Sequence, residues 1–238
     1  MPDQFQTLAN AILDDDRGRV KTLLGQNPEM AYAGATKARL EMSIPHWIYE
    51  GDTALHVAAA AYRVEIARLL LDAGADVRAA KNHRRGQPLH YASDGYLANA
   101  KWDAKRQVQM IELLINAGAD IHAQDKNGAT PLHRAVRTRC AAAVRFLLKA
   151  GADATLRNNP GSTPFHLAVQ NTGHGGSGAD KAKAAQREII ETFLEHGVKP
   201  TLRDAKGETV LDWARSDWIR EMVETNGTNR SNSAGRNP

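Results

Sequence analysis

The feature that most constrains this chain is a short block that returns four times. Gly128-Ala129-Thr130-Pro131-Leu132-His133 is echoed by Gly161-Ser162-Thr163-Pro164-Phe165-His166 and by Gly51-Asp52-Thr53-Ala54-Leu55-His56. A weaker copy is Arg85-Gly86-Gln87-Pro88-Leu89-His90, and the four histidines lie 34, 43 and 33 residues apart. A period of this size points to small supersecondary units, none of which can hide its own apolar side. Consecutive units therefore have to stack on one another.

Each copy reads as the start of a helix. Threonine can cap the free backbone amides, and proline is tolerated in the first turn, where its missing N–H is no loss. Ala-rich helices follow, such as Val57-Ala58-Ala59-Ala60-Ala61, whose small side chains let neighbouring helices approach closely. A second helix carries the larger apolar load, in Val64 to Leu71 and again in Val144 to Leu148. Gly74, Gly118, Gly151 and Gly197 then fall where a left-handed residue closes a helix, and the first three are followed by Ala-Asp.

Taken in that order, Thr-Pro-Leu-His, the Leu-rich second helix and Gly-Ala-Asp resemble the ankyrin repeat family over residues 51–214. The resemblance implies an all-α solenoid of stacked helix-turn-helix hairpins with β-hairpin-like connecting loops. It also implies a structural role for the histidines at the helix starts. One ankyrin repeat domain is expected over residues 1–224, with a degenerate N-terminal capping hairpin and a long connection over 1–50. Repeats are expected over 51–84, 85–127, 128–160 and 161–206, then a C-terminal cap over 207–224 and a disordered polar tail over 225–238. Measured against the usual 33-residue period, repeat 2 carries about ten extra residues around Leu97 to Arg106, and repeat 4 a longer insertion near Thr172 to Ala185. Asn10 in the first cap and Asp212 in the last replace the histidine, as suits units with one face toward water.

Composition narrows the function. Aromatic residues are only 5% of a chain that is 42% hydrophobic, which favours closely packed helices over a sheet sandwich. No stretch approaches eighteen apolar residues and the first residues lack a basic, then apolar, leader, so a cytoplasmic, soluble protein without a membrane partner is expected. Cys140 stands alone and reads as a small buried filler, not a nucleophile or a redox group. The chain contains no H-E-x-x-H, G-x-S-x-G or C-x-x-C. No catalytic residue, cofactor or metal ligand is therefore assigned, and a non-enzyme is expected. Gly173 to Gly178 spells G-x-G-x-x-G, but it interrupts a helical hairpin where a nucleotide site needs a strand before it, so it reads as a surface loop. Equivalent histidines on helices about 8–10 Å apart cannot share a zinc ion.

The same resemblance implies a concave face made of hairpin tips and the inner sides of the first helices. Carried onto this chain, it includes Tyr49, Glu50, Asp52, His83, Arg84, Gly86, Lys126, Asn127 and Ala129. The first-helix ends add Ala60, Ala61, Asp94, Gly95, Arg137, Thr138, Gln170 and Asn171. Arg84, Arg85, Lys126, Arg137 and Arg139 would form a basic centre suited to an acidic segment of another protein. Tyr49, Tyr96 and Trp102 are the candidate aromatic anchors, because interface energy concentrates in Trp, Tyr and Arg, and Gln170 completes the partner-binding set. Trp47, Trp213 and Trp218 read as covers for core near the ends of the stack. The expected function is a monomeric, noncovalent protein-binding module. A net charge of +4 is too small to argue for nucleic acid by itself. Nucleic-acid binding along the basic stripe is one alternative. The other is an enzyme or small-ligand protein with a pocket between Trp47/Tyr49 and Tyr96/Trp102.

Overall fold

The computed structural model describes residues 4–41, 44, 46–95, 102–170 and 180–229. Six helical hairpins follow in chain order among them. Helices α1 (Gln4–Leu13) and α2 (Arg17–Gln26) form the first cap. Repeat 1 is α3 (Ala54–Ala60) and α4 (Val64–Asp72), and repeat 2 is α5 (Pro88–Ser93) and α6 (Ala104–Asn116). Repeat 3 is α7 (Pro131–Arg137) and α8 (Ala141–Lys149), and repeat 4 is α9 (Pro164–Val169) and α10 (Asp180–Glu195). The last cap is α11 (Val210–Trp213) with α12 (Asp217–Asn229).

First helices pack in one row, α1, α3, α5, α7, α9 and α11, and second helices in another from α2 to α12. The leucine of the repeated block occupies the same closed slot each time: Leu55, Leu89, Leu132 and Phe165 are all 0% exposed. Each such side chain removed from water contributes roughly 1.5–3 kcal/mol. Phe165 lies against Phe193 of the following helix with ring centroids 4.8 Å apart.

The repeated histidines join neighbouring repeats. The Nδ1 atoms of His56, His90 and His133 accept from the backbone N–H of Thr53, Gln87 and Thr130 at 3.0, 3.1 and 3.2 Å. Because Nδ1 is the acceptor, Nε2 carries the proton. It donates forward, from His56 to the Gly86 carbonyl at 2.9 Å and from His133 to that of Ser162 at 3.0 Å. His90 reaches the Ala123 and Ala129 carbonyls at 3.1 Å, and His166 reaches that of Glu208 at 3.1 Å. Burial lowers the pKa of all four rings and keeps them neutral. Asp212, in the last cap, closes only its own helix start with Thr209.

Hairpin tips form a second ladder. The amides of His83, Lys126, Asn159 and Ala205 donate to the carbonyls of Glu50, Arg84, Asn127 and Gly161 at 3.2, 2.8, 2.9 and 2.9 Å. Gly51 and Gly128 adopt φ +83 and +70 there, and a Cβ on Gly51 would lie 2.8 Å from the Lys81 carbonyl. Only glycine fits both constraints.

The two inserted repeats end their first helices differently from the regular ones. After α3 and α7 the chain turns through left-handed Tyr62 (φ 52) and Arg139 (φ 60). After α5 and α9 it leaves in extended form at Asp94 (ψ 134) and Gln170 (ψ 138). Carbonyls freed in this way find donors on the second helix of the same repeat. Gln107 Nε2 reaches Ala92 and Asp94 at 3.1 and 3.3 Å, and Gln186 Nε2 reaches Ala168 and Gln170 at 2.7 Å each. The preceding regular repeat helps: the Tyr62 hydroxyl donates to Asp94, and Arg139 to Ala168 and Gln170 at 3.1 and 3.0 Å. The stack thus alternates regular and inserted repeats with one shared device.

Three readings of the sequence need adjustment. Part of each insertion is helix, since Ala104 to Arg106 open α6 and Asp180 to Ala185 open α10. Helix α12 runs through Asn229, five residues into the stretch read as tail. The connection between cap and repeat 1 is also structured: a 3-10 turn spans Pro28–Ala31, and β1 (Arg39–Glu41) pairs antiparallel with β2 (His46–Ile48). Tyr96, Asn171 and the glycine-rich run Gly173 to Gly178 lie outside the described residues.

Candidate partner-binding face

The inner row of first helices is set by the positions one and four residues after each histidine. These are Val57, Tyr91, Arg134 and Leu167, then Ala60, Asp94, Arg137 and Gln170. Repeats 2 and 3 therefore place hydroxyl, carboxylate and guanidinium groups where repeat 1 has apolar ones.

The β1–β2 hairpin folds onto these groups. His46 is 8% exposed, with its ring 4.7 Å from that of Tyr91. Its Nδ1 donates to the Trp47 carbonyl at 2.6 Å, and its Nε2 lies 3.6 Å from Asp94 Oδ2. Arg134 also grips Asp94 through Nη2, and its Nη1 lies 3.5 Å from Asp125 Oδ2. Burial pushes the Asp94 carboxyl up, but Arg134, His46 and Arg137 outweigh it and hold the group below the ordinary carboxylate value. The same pairing keeps Arg134 above its ordinary value despite burial.

Asp52 is also covered, at 1% exposure. It accepts from the Tyr49 amide at 2.7 Å and from the Tyr91 hydroxyl at 2.7 and 3.0 Å. Burial raises its pKa in spite of these bonds and of nearby His56 and His46. Asp52 and Asp94, expected on the open concave face, are thus interior groups roofed by the hairpin.

What remains open is basic. Arg84 lies over the Tyr49 ring, 5.4 Å from its centroid, and Lys126 next to it is exposed. Arg137 has a side chain 53% exposed and stands 3.8 Å from Asp94 Oδ1. Burial, together with the charges of Arg134 and Arg84, lowers the Arg137 pKa, so two further cations bear on this one. Arg85 is exposed beside them. Among the described residues neither Arg84 nor Lys126 has a carboxylate within ion-pair distance.

The other candidates sit apart. Arg139 holds the Ala168 and Gln170 carbonyls, and burial brings its pKa down to about 10. The Gln170 side chain is exposed, and Trp102 is half-buried beside Gly95 and Cys140. Trp213 and Trp218 pack against the core as expected, whereas Trp47 is 47% exposed on the outer face of the hairpin and covers no core. Cavities of about 590 Å³ beside Leu148 and Val198 and about 540 Å³ beside Trp213 and Arg215 reach neither Tyr49 nor Trp102. Cys140 is buried, and burial raises its thiol to about 11, which leaves it an unreactive filler. Among the described residues no three His, Cys, Asp or Glu side chains gather to hold a metal ion, and no helix is long and apolar enough to cross a membrane.

Reasoning from sequence missed His46, Arg134 and Asp125. The available signal was the appearance of charged residues in the inner row, at Arg134 and Asp94, where packing alone asks for small apolar ones.

Comparison with known proteins agrees with this architecture. A family model described as ankyrin repeats (3 copies) matches residues 8–102 and 100–177. An ankyrin repeat domain from Acinetobacter baumannii AYE, solved by crystallography, is 26% identical and superposes with a TM-score of 0.69. The match covers 94% of this chain and 97% of that one. No curated protein matches.

Proposed function

Because the chain belongs to the ankyrin repeat family, whose repeats are generally protein-interaction modules, we propose that it holds an acidic segment of another protein noncovalently against its concave face. The observation that carries this reading is the grouping of half-buried Arg84 with exposed Lys126 and Arg137: the Lys126 amide bonds the Arg84 carbonyl at 2.8 Å, and the charge of Arg84 bears on Arg137. Arg134, the buried cation beside them, is already paired with Asp94 and Asp125. In this reading the module is non-catalytic and monomeric. Apolar anchors supply most of the affinity, while the cations steer encounter and fix orientation.

The test is capture on immobilised protein, wild type beside a variant carrying Arg84→Glu, Lys126→Glu and Arg137→Glu. Partners retained by the first and lost by the second support the reading; equal retention by both removes it. Random duplex and single-stranded oligonucleotides at two salt concentrations provide the control for a nucleic-acid partner, whose affinity would fall steeply with salt.

A further inference from the structure

The β1–β2 hairpin has two chemically different faces. His46 and Ile48 point inward and are 8% and 2% exposed, seated on Tyr91 and Asp94 and in the core. Leu40 and Trp47, directly paired across the strands, are 46% and 47% exposed on the other face. Side chains alternate along a strand, which separates Leu40 and Trp47 from His46 and Ile48; Tyr49, just past the end of β2, is half-buried against the core. The Arg84 guanidinium lies on that ring. Lys126 follows, its amide bonded to the Arg84 carbonyl at 2.8 Å. The exposed Leu40–Trp47 pair thus stands two residues along the chain from the ring that carries Arg84.

Single exposed apolar residues need no explanation, but a paired leucine and tryptophan on a strand pair pinned from beneath form a rigid patch. Rigid aromatic surface binds with little further ordering cost. We infer that this outer face, Leu40 with Trp47, is the apolar anchor site of the module. It takes a bulky apolar side chain of the same partner segment whose acidic residues lie on Arg84, Lys126 and Arg137. The inference rests on the proposed function and adds the element that fixes where along the groove the segment sits. Charge complementarity selects this occupant: a second copy of the chain, net charge +4, would bring a basic surface to an already basic one.

The test uses a displayed library of random twelve-residue peptides selected on the full chain. Selected peptides are then titrated against wild type, Trp47→Ser, Leu40→Ser and the Arg84→Glu/Arg137→Glu pair. Selected sequences should combine acidic residues with Trp, Phe or Leu and weaken about tenfold on Trp47→Ser. Melting should be unchanged, because Trp47 supports no core. Peptides that lose affinity on charge reversal yet ignore Trp47→Ser and Leu40→Ser would overturn the anchor site and leave the basic face standing. Peptides sensitive to Trp47→Ser alone would count against the shared reading. Failure to enrich any acidic-apolar sequence, or self-association of the free chain abolished by Trp47→Ser, also overturns the inference.

Discussion

A methyl group on Gly95 would lie 1.8 Å from the sulfur of Cys140 and 3.3 Å from Trp102 Nε1. The glycine that leaves α5 and the cysteine that precedes α8 are thus fitted to each other across repeats 2 and 3. Gly95→Ala should destabilise the stack by about 1–3 kcal/mol through overpacking. Most of that loss should return in the double variant with Cys140→Ala, since the contacts that remain are 3.5 Å to the Cys140 Cβ, which is ordinary, and 3.3 Å to Trp102 Nε1, which needs that side chain to give by only a few tenths of an ångström. Urea unfolding of both singles and the double measures the coupling, and simple additivity would show that the two sites do not touch.

His133→Ala strands the Thr130 amide and the Ser162 carbonyl between repeats 3 and 4. Each buried group left unpaired costs about 1–3 kcal/mol. Asp212→Ala should cost less, because among the described residues its side chain bonds Thr209 of its own helix start and no neighbouring repeat. Denaturation midpoints that fall equally for both would contradict the role of the histidines as ties between repeats.

Acid should loosen the stack from just below pH 6.5, where the unfolded histidines begin to take up protons that the folded ones refuse. The four repeat histidines have folded pKa values below the ordinary 6.5, His90 at about 4 through burial and then Arg134. Below pH 6.5 the unfolded chain therefore binds more protons, and stability falls progressively as pH drops toward about 4. His90 alone contributes on the order of 3 kcal/mol over that window. Asp94, held low by Arg134 against burial, adds a further loss below its ordinary 3.8, while Asp52, raised by burial, works the other way. Melting temperatures at pH 7 and pH 5 that coincide would refute this.

Arg134 and Arg137 lie three residues apart and should behave oppositely. Arg134→Ala removes the closest cation from buried Asp94 and Asp125, leaving Asp94 only the longer contacts to Arg137 and His46, a loss of about 3–5 kcal/mol. Arg137→Glu, at a half-exposed position 3.8 Å from Asp94, should still fold, melt far closer to wild type than Arg134→Ala, and bind partner less well. Circular dichroism with thermal melts separates the two. Normal melting for Arg134→Ala would mean that the interior ion network does not support the fold.

Leu147, 0% exposed in α8, belongs to the hydrophobic core. Leu147→Asp should abolish cooperative unfolding, because an unpaired buried carboxylate costs more than the stack can offset. A normal far-ultraviolet melt would show that the helix register is wrong.

The stacking could be read from the sequence because it is encoded locally. Thr130-Pro131-Leu132-His133 carries its own cap, first turn, core residue and tie to the next repeat, and Gly151 ends the unit. The hairpin at residues 39–48 is different: no period marks it, and its meaning lies in His46 meeting Asp94 and Tyr91, some forty-five residues later. For the same reason Asp52 and Asp94 read as surface groups, and Arg139 as a free cation, until the elements covering them were in place. Charge counts from sequence cannot distinguish Arg134, paired with two carboxylates, from Arg84 and Lys126, which have none within ion-pair distance among the described residues.

The most direct test of the proposed binding face is the association rate of a captured partner at two ionic strengths. On wild type, added salt should slow association while dissociation stays nearly constant. The Arg84→Glu/Lys126→Glu/Arg137→Glu variant should associate more slowly and lose that salt dependence. Identical rates for wild type and variant at both ionic strengths would place the partner elsewhere on the molecule.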